Sequence, residues 1–206
     1  MAETTFIRAF IAINLPAEVR ANLAELQREL KSALPGDGVR WTKPEQIHLT
    51  LKFLGDIAVD SLEDLKVSVQ RAGEGIAPFS LHAESLGVFP DSQKPRVIWT
   101  DVSGDTDILR RLQEQIERET GAWRTAEQRI FQPHLTLARV RSLKPDGTAV
   151  LREKIRAHTA AQFDSWHVGQ IDLMQSKLSS GGAEHSQLAG FPLNSIPTRQ
   201  TSSSNL

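Results

Sequence analysis

The chain has 206 residues, 39% hydrophobic and 24% charged, with a formal net charge of −1 and no cysteine. Enough apolar side chains are present to bury a core, while disulfides, thiolate nucleophiles and cysteine-bound zinc are excluded. The strong basic excess of a protein that coats long stretches of nucleic acid is also missing, so any nucleic acid is expected to be held at an end or over one or two nucleotides.

The N-terminus lacks the basic start and small-residue cleavage site of a signal peptide, and no segment approaches the roughly 18 apolar residues of a membrane span. The expectation is a cytoplasmic protein with no membrane contact. In chain order, residues 6–15 read as an apolar strand stopped by Pro16. Residues 17–33 place Val19, Leu23, Leu26 and Leu30 at helical spacing. A Pro-Gly-Asp-Gly turn at 35–38 leads to a short strand at 39–42, then a strand at 46–54 closed by Gly55. A helix is expected over 60–74, an extended segment over 78–89, a strand over 96–102 and a helix over 105–120. The last elements are a strand near 133–140, a helix at about 148–159 and strands near 162–175 and 184–189. Mixed helices and strands in this order predict an α+β fold: two mostly antiparallel sheets backed by helices, in one bilobed domain over 1–193. The polar tail, 194–206, has little to bury and is expected to be disordered.

One tetrapeptide occurs twice, as His48-Leu49-Thr50-Leu51 and His134-Leu135-Thr136-Leu137. Strand side chains two apart share a face, so each copy presents a histidine and a threonine on one side and two leucines on the other. Turned toward each other, the polar faces would put two imidazoles and two hydroxyls around one space. Histidine titrates near neutral pH, so one ring can act as base while the other acts as acid. That pair suits phosphodiester hydrolysis, with the threonines donating to phosphate oxygens. No cofactor or metal is required, and none is expected.

These two HxTx motifs resemble those of the 2H phosphoesterase superfamily. More narrowly, the chain is similar to the RNA 2′,3′-cyclic phosphodiesterases, historically called 2′-5′ RNA ligases. The resemblance extends through Arg8-Ala9-Phe10-Ile11-Ala12-Ile13, Val39-Arg40-Trp41, HLTLKFLG at 48–55, Gly87-Val88-Phe89-Pro90, Pro95-Arg96-Val97-Ile98-Trp99, FQPHLTLARV at 131–140, LMQSKLSSGGA at 173–183 and FPL at 191–193. It implies a pseudo-twofold fold with one motif strand from each lobe and an active-site cleft between them. The implied partner is an RNA end bearing a 2′,3′-cyclic phosphate, or a small cyclic nucleotide, opened to a 2′-phosphomonoester by a monomeric enzyme. By the same resemblance His48 is the proton donor, His134 the proton acceptor, and Thr50 and Thr136 hold the phosphate. Reverse ligation, cyclic-nucleotide hydrolysis and a non-catalytic RNA-end-binding module are the competing readings.

Arg139 matches an arginine of the family near the second motif. By alternation it shares the face of Leu135 and Leu137, so a bulge is needed for it to reach the site. Phe10 and Phe89 are candidates for stacking on a base, with core packing as the other reading; Trp41 and Trp99 are assigned mainly to the core. Two positions depart from the family pattern: His185 stands where tyrosine is common, and Gln132 where arginine often precedes the motif proline. His82, His158 and His167 have no motif partner.

Overall fold

A computed structural model describes residues 4–124, 130–179 and 182–194. The elements are β1 (Phe6–Asn14), α1 (Ala17–Ala33), β2 (Val39–Trp41), β3 (His48–Ala58), α2 (Leu62–Gly73), β4 (Phe79–Phe89), β5 (Val97–Gly104), α3 (Thr106–Glu119), β6 (His134–Val140), α4 (Pro145–Ala157), β7 (Gln162–Val168), β8 (Gln170–Ser179) and β9 (Gly182–Pro192). The α1 helix keeps the expected bounds, and Val19, Leu23, Leu26 and Leu30 are its buried stripe. The α4 helix starts ahead of residue 148 because Pro145, with its fixed φ, seats naturally in the first turn. The strand expected over 162–175 is two strands: the chain leaves one edge of the sheet at Gly169 and rejoins the sheet on the far side. Beyond Asn194 the tail expected to be disordered lies outside the described residues.

The strands run in the order β7-β4-β5-β6-β3-β1-β8-β9, with β2 also paired to β6, and the ladders between the named strands are antiparallel. The two expected sheets are therefore halves of one continuous sheet, joined where Leu49 faces Leu135. The motif strands β3 and β6 meet at its centre. Moving outward, β3, β1, β8 and β9 answer to β6, β5, β4 and β7, which is the pseudo-twofold relation. The halves do not correspond to the two halves of the chain. The C-terminal β8 and β9 return beside β1, and β4 crosses to lie beside β5. Helices cross too: α1 packs on β7 and α4, whereas α3 packs on α2 and β3.

All four motif leucines are buried on the helix side, in one large cluster with residues of α1, α2 and α3. Each such side chain contributes roughly 2 kcal/mol on burial, enough to hold register, because a one-residue slip would turn the leucines to water. The opposite face of the sheet is left to the polar motif residues.

Candidate active site

Strand alternation puts His48 and Thr50 on the cleft face of β3, and His134 and Thr136 on that of β6. All four line a single cleft of about 490 Å³, within the range of about 300–1,000 Å³ usual for small-ligand sites. The two faces meet.

Each histidine is held in the same way. The Nδ1–H of His48 donates to the main-chain carbonyl of Gln46 at 2.8 Å, and that of His134 to the carbonyl of Gln132 at 2.8 Å. A carbonyl can only accept, so in the neutral form of either ring the proton sits on Nδ1, leaving the Nε2 lone pair available. Each ring also leans on an aromatic neighbour. Phe10 lies 4.9 Å from His48, and Phe89 lies 5.1 Å edge-on from His134 while stacking at 4.8 Å on Trp99.

The bulge needed to bring Arg139 into the cleft is present. Ile98 pairs with Ala138 and Trp99 with Thr136, so Leu137 is the extra residue of β6. Beyond it alternation resets: Ala138 turns inward and Arg139 joins His134 and Thr136 at the cleft. The carbonyl of Leu137 accepts bonds from the Thr42 amide at 2.9 Å and from Nε2 of the buried Gln27 at 2.9 Å, which anchor the bulge. In β3 the extra residue is Leu51, since Ala12 pairs with Thr50 and Ile11 with Lys52. There Lys52 turns inward to an ion pair with Glu117 at 2.7 Å, and Phe53 turns into the cleft, 49% exposed.

Phe10 does not offer a face to a base. It is 2% exposed and packs with Ala12 and Met174 beneath His48, so the stacking assignment for it is corrected to support of that ring. Phe89 plays the matching part for His134, with one face covered by Trp99. Trp41 packs against the core but also lines the cleft. Arg8, Arg40 and Lys43 join Arg139 there, with Glu184 as the single acidic residue of the lining among the described residues, giving a cationic wall in a chain of net charge −1. Phe53, Gln46, Arg8, Arg40 and Lys43 are not among the site residues expected from the sequence, whereas Arg139 is.

His185 enters from β9. Its main-chain N–H donates to the side-chain oxygen of Gln46 at 2.7 Å, and its ring stands T-shaped to His48 at 5.2 Å and to Phe10 at 4.9 Å. Burial is the main reason that His48 is pulled down to a pKa of about 4; the nearby His185 and His134 rings add to the effect, and the Gln46 carbonyl opposes it. Burial also lowers His185. His82 and His158 lie outside the cleft, bonded to Ser165 and to Glu29 with the Lys154 carbonyl respectively.

A model described as LigT-like phosphoesterase matches residues 13–99 and 102–183, each stretch carrying one motif. The chain belongs to the LigT-like phosphoesterase family. It is 30% identical over 187 residues to the RNA 2′,3′-cyclic phosphodiesterase of Methanothermobacter thermautotrophicus, covering 91% of this chain and 99% of that one. The Aquifex aeolicus protein of the same name is 28% identical over 189 residues, 91% of this chain and 97% of that one. Among solved structures, the Thermus thermophilus protein TT0787 superposes with a TM-score of 0.75 at 30% identity, over 91% of this chain and 98% of that one. The apo form of E. coli LigT gives 0.71 at 22% identity, over 93% and 99%, a likeness of fold. This family membership makes the chain an enzyme of the phosphoesterase class. Among the described residues no helix is long and apolar enough to cross a membrane.

Proposed function

We propose that the protein hydrolyses RNA 2′,3′-cyclic phosphate ends to 2′-phosphomonoesters with His48 and His134 as the acid–base pair. One observation carries the reading. Two imidazoles with identically pinned Nδ1–H groups, each two residues from a threonine hydroxyl, face one cationic cleft. The names of the relatives point to the same substrate class.

In this mechanism the cyclic phosphate sits between the histidines, with the Thr50 and Thr136 hydroxyls and the Arg139 guanidinium on its non-bridging oxygens. Water attacks phosphorus as its proton passes to Nε2 of His134. The P–O3′ bond breaks, and O3′ takes the proton from Nε2 of His48. The product carries a 2′-phosphate and a free 3′-hydroxyl. The histidines perform both proton transfers, so the chemistry asks for no metal. Phe53 offers the exposed aromatic face on which the terminal base would stack.

A second reading exchanges the two roles, favoured by the low pKa of His48, which leaves that ring neutral near pH 7. In the first reading His48 must take up a proton together with the anionic substrate. One experiment tests both. Chelator-treated protein is given an oligoribonucleotide ending in a 2′,3′-cyclic phosphate, and the product is challenged with a 3′-phosphate-specific phosphatase. Resistance of the new phosphate supports the 2′ product; no turnover sinks the proposal. Replacing O3′ with sulfur then makes a leaving group that needs no proton. It should rescue a His48→Ala variant if His48 is the acid, and His134→Ala if the roles are exchanged.

A further inference from the structure

His185 differs from the two motif histidines in one respect. The carbonyls of Gln46 and Gln132 pin the protons of His48 and His134 to Nδ1. The Nδ1 of His185 is buried with no partner among the described residues, while the ring lines the cleft. An N–H buried without an acceptor is the costlier orphan, so the proton of this ring belongs on the other nitrogen. Burial keeps the ring neutral at pH 7. The site thus holds two cleft-facing Nε2 lone pairs, suited to moving protons, and one cleft-facing Nε2–H, suited to a hydrogen bond with an anion.

We propose that His185 is a third histidine of the site, a hydrogen-bond donor through Nε2–H to a phosphate oxygen of the substrate on the His48 side. This rests on the functional reading above for the identity of the substrate, but the chemistry needs only a phosphate group. The donor is firmly placed. Gln46 accepts the main-chain N–H of His185 on its side-chain oxygen and the Nδ1–H of His48 on its own carbonyl, so one residue sets the spacing of both rings. Phe10 touches both rings, at 4.9 Å in each case. The hairpin of β8 and β9 is in this way tied across to the first motif, and β9 contributes a wall of the cleft rather than only an edge of the sheet.

The test has two arms on the full chain. In the first, ¹⁵N-histidine labelling reads the tautomers of the wild-type protein above pH 7. The expected pattern is Nδ1–H for His48 and His134 and Nε2–H for His185; an Nδ1–H tautomer at His185 overturns the proposal. In the second, inorganic phosphate is titrated into wild type, His185→Phe and His185→Tyr. Phenylalanine keeps the aromatic packing and removes the donor, and it should weaken binding by roughly tenfold, as for a lost hydrogen bond to a charged group. Tyrosine restores an O–H donor and should recover most of that loss. Unchanged binding in His185→Phe reduces the residue to packing and overturns the proposal. If that variant fails to fold, the tautomer of the wild type still decides. Wild type that binds phosphate through His185 yet leaves cyclic phosphate ends intact would sink the functional reading and leave this one standing.

Discussion

The β3 half and the β6 half of the sheet each place on the cleft face a histidine, a threonine and the fifth residue after that histidine, using a bulge at the same point of the motif. In one half the fifth residue is Phe53, and in the other it is Arg139. Behind the bulges the supports differ as well: the Lys52–Glu117 ion pair backs the first and the buried Gln27 amide backs the second. The twofold arrangement proposed to handle a phosphate is thus set in a surrounding that is not twofold. A cyclic phosphate at an RNA end is itself lopsided, with charge at phosphorus and a flat apolar base to one side. The asymmetry fits such a ligand better than a symmetric cleft would.

If the motif copies are equivalent in turnover, removing either imidazole should cost about the same. His48→Ala and His134→Ala are each expected to lower kcat by roughly 10²–10⁴, the usual worth of a positioned acid or base. The double variant should fall little further than the worse single one, as expected for residues that act as a unit. Steady-state rates on a cyclic-phosphate oligonucleotide check this, and near-normal activity in either single variant would break the equivalence.

The fifth residues should separate what the histidines do not. Arg139→Ala is expected to raise KM by about tenfold or more for every cyclic phosphate, through a lost charge-assisted contact. Phe53→Ala should cost about five- to a hundredfold in affinity when the ligand carries a base, following the roughly 1–3 kcal/mol of a base–aromatic stack. It should leave inorganic phosphate binding unaltered. Equal losses on both ligands would place Phe53 outside the base site.

This division is only partly visible in the sequence. Period-two alternation is a local property, so the polar face of His48 with Thr50, and that of His134 with Thr136, can be read directly. The bulges cannot, because they depend on register against β1 and β5. Simple alternation sends Phe53 and Arg139 to the leucine side and Lys52 to the cleft; the extra residues Leu51 and Leu137 reverse this. Arg139 is marked in the sequence only through family likeness, and Phe53 lies in a matching stretch with nothing to give it a place in the site. The α+β class, the helix bounds of α1 and the pairing of the motifs are legible. The interleaving of strands and helices between halves is not, since β8 and β9 reach β1 across nearly the whole chain. His185 stands out as a departure, but its place beside His48 depends on the Gln46 bonds to β9.

The low pKa of His48 gives the comparison a pH axis. Its folded value of about 4 lies below its ordinary value of 6.5. The associated stability is therefore fully present above about pH 6.5 and is lost as pH falls toward 4, because the unfolded chain binds the proton first. An anion in the cleft favours the charged ring, so binding should carry proton uptake in that window. Sulfate keeps its charge from pH 7 to 5, and its affinity should rise as pH falls, by at most about tenfold per unit from this one group. His48→Gln should reduce the slope of log Kd against pH. A slope unchanged in that variant would mean that the proton is taken up elsewhere.

The smallest expected difference concerns the glutamines two residues before each histidine, which extend the repeat to Gln-x-His-Leu-Thr-Leu. Both supply a main-chain carbonyl to an imidazole, and alanine retains that carbonyl. Gln132 is exposed, and no described residue bonds its side chain; Gln132→Ala should leave kcat/KM within about twofold, as for a surface change away from special features. The side chain of Gln46 also accepts the His185 amide, at 2.7 Å. Gln46→Ala leaves that amide without its acceptor and frees β9 from the first motif, a loss of about 1–3 kcal/mol in local order. The expected result is a roughly three- to tenfold fall in kcat/KM, together with faster amide exchange at His185. Equal behaviour of the two variants would show that the tie to β9 plays no part in placing the rings. The halves would then differ at their fifth residues without differing in how they hold their histidines.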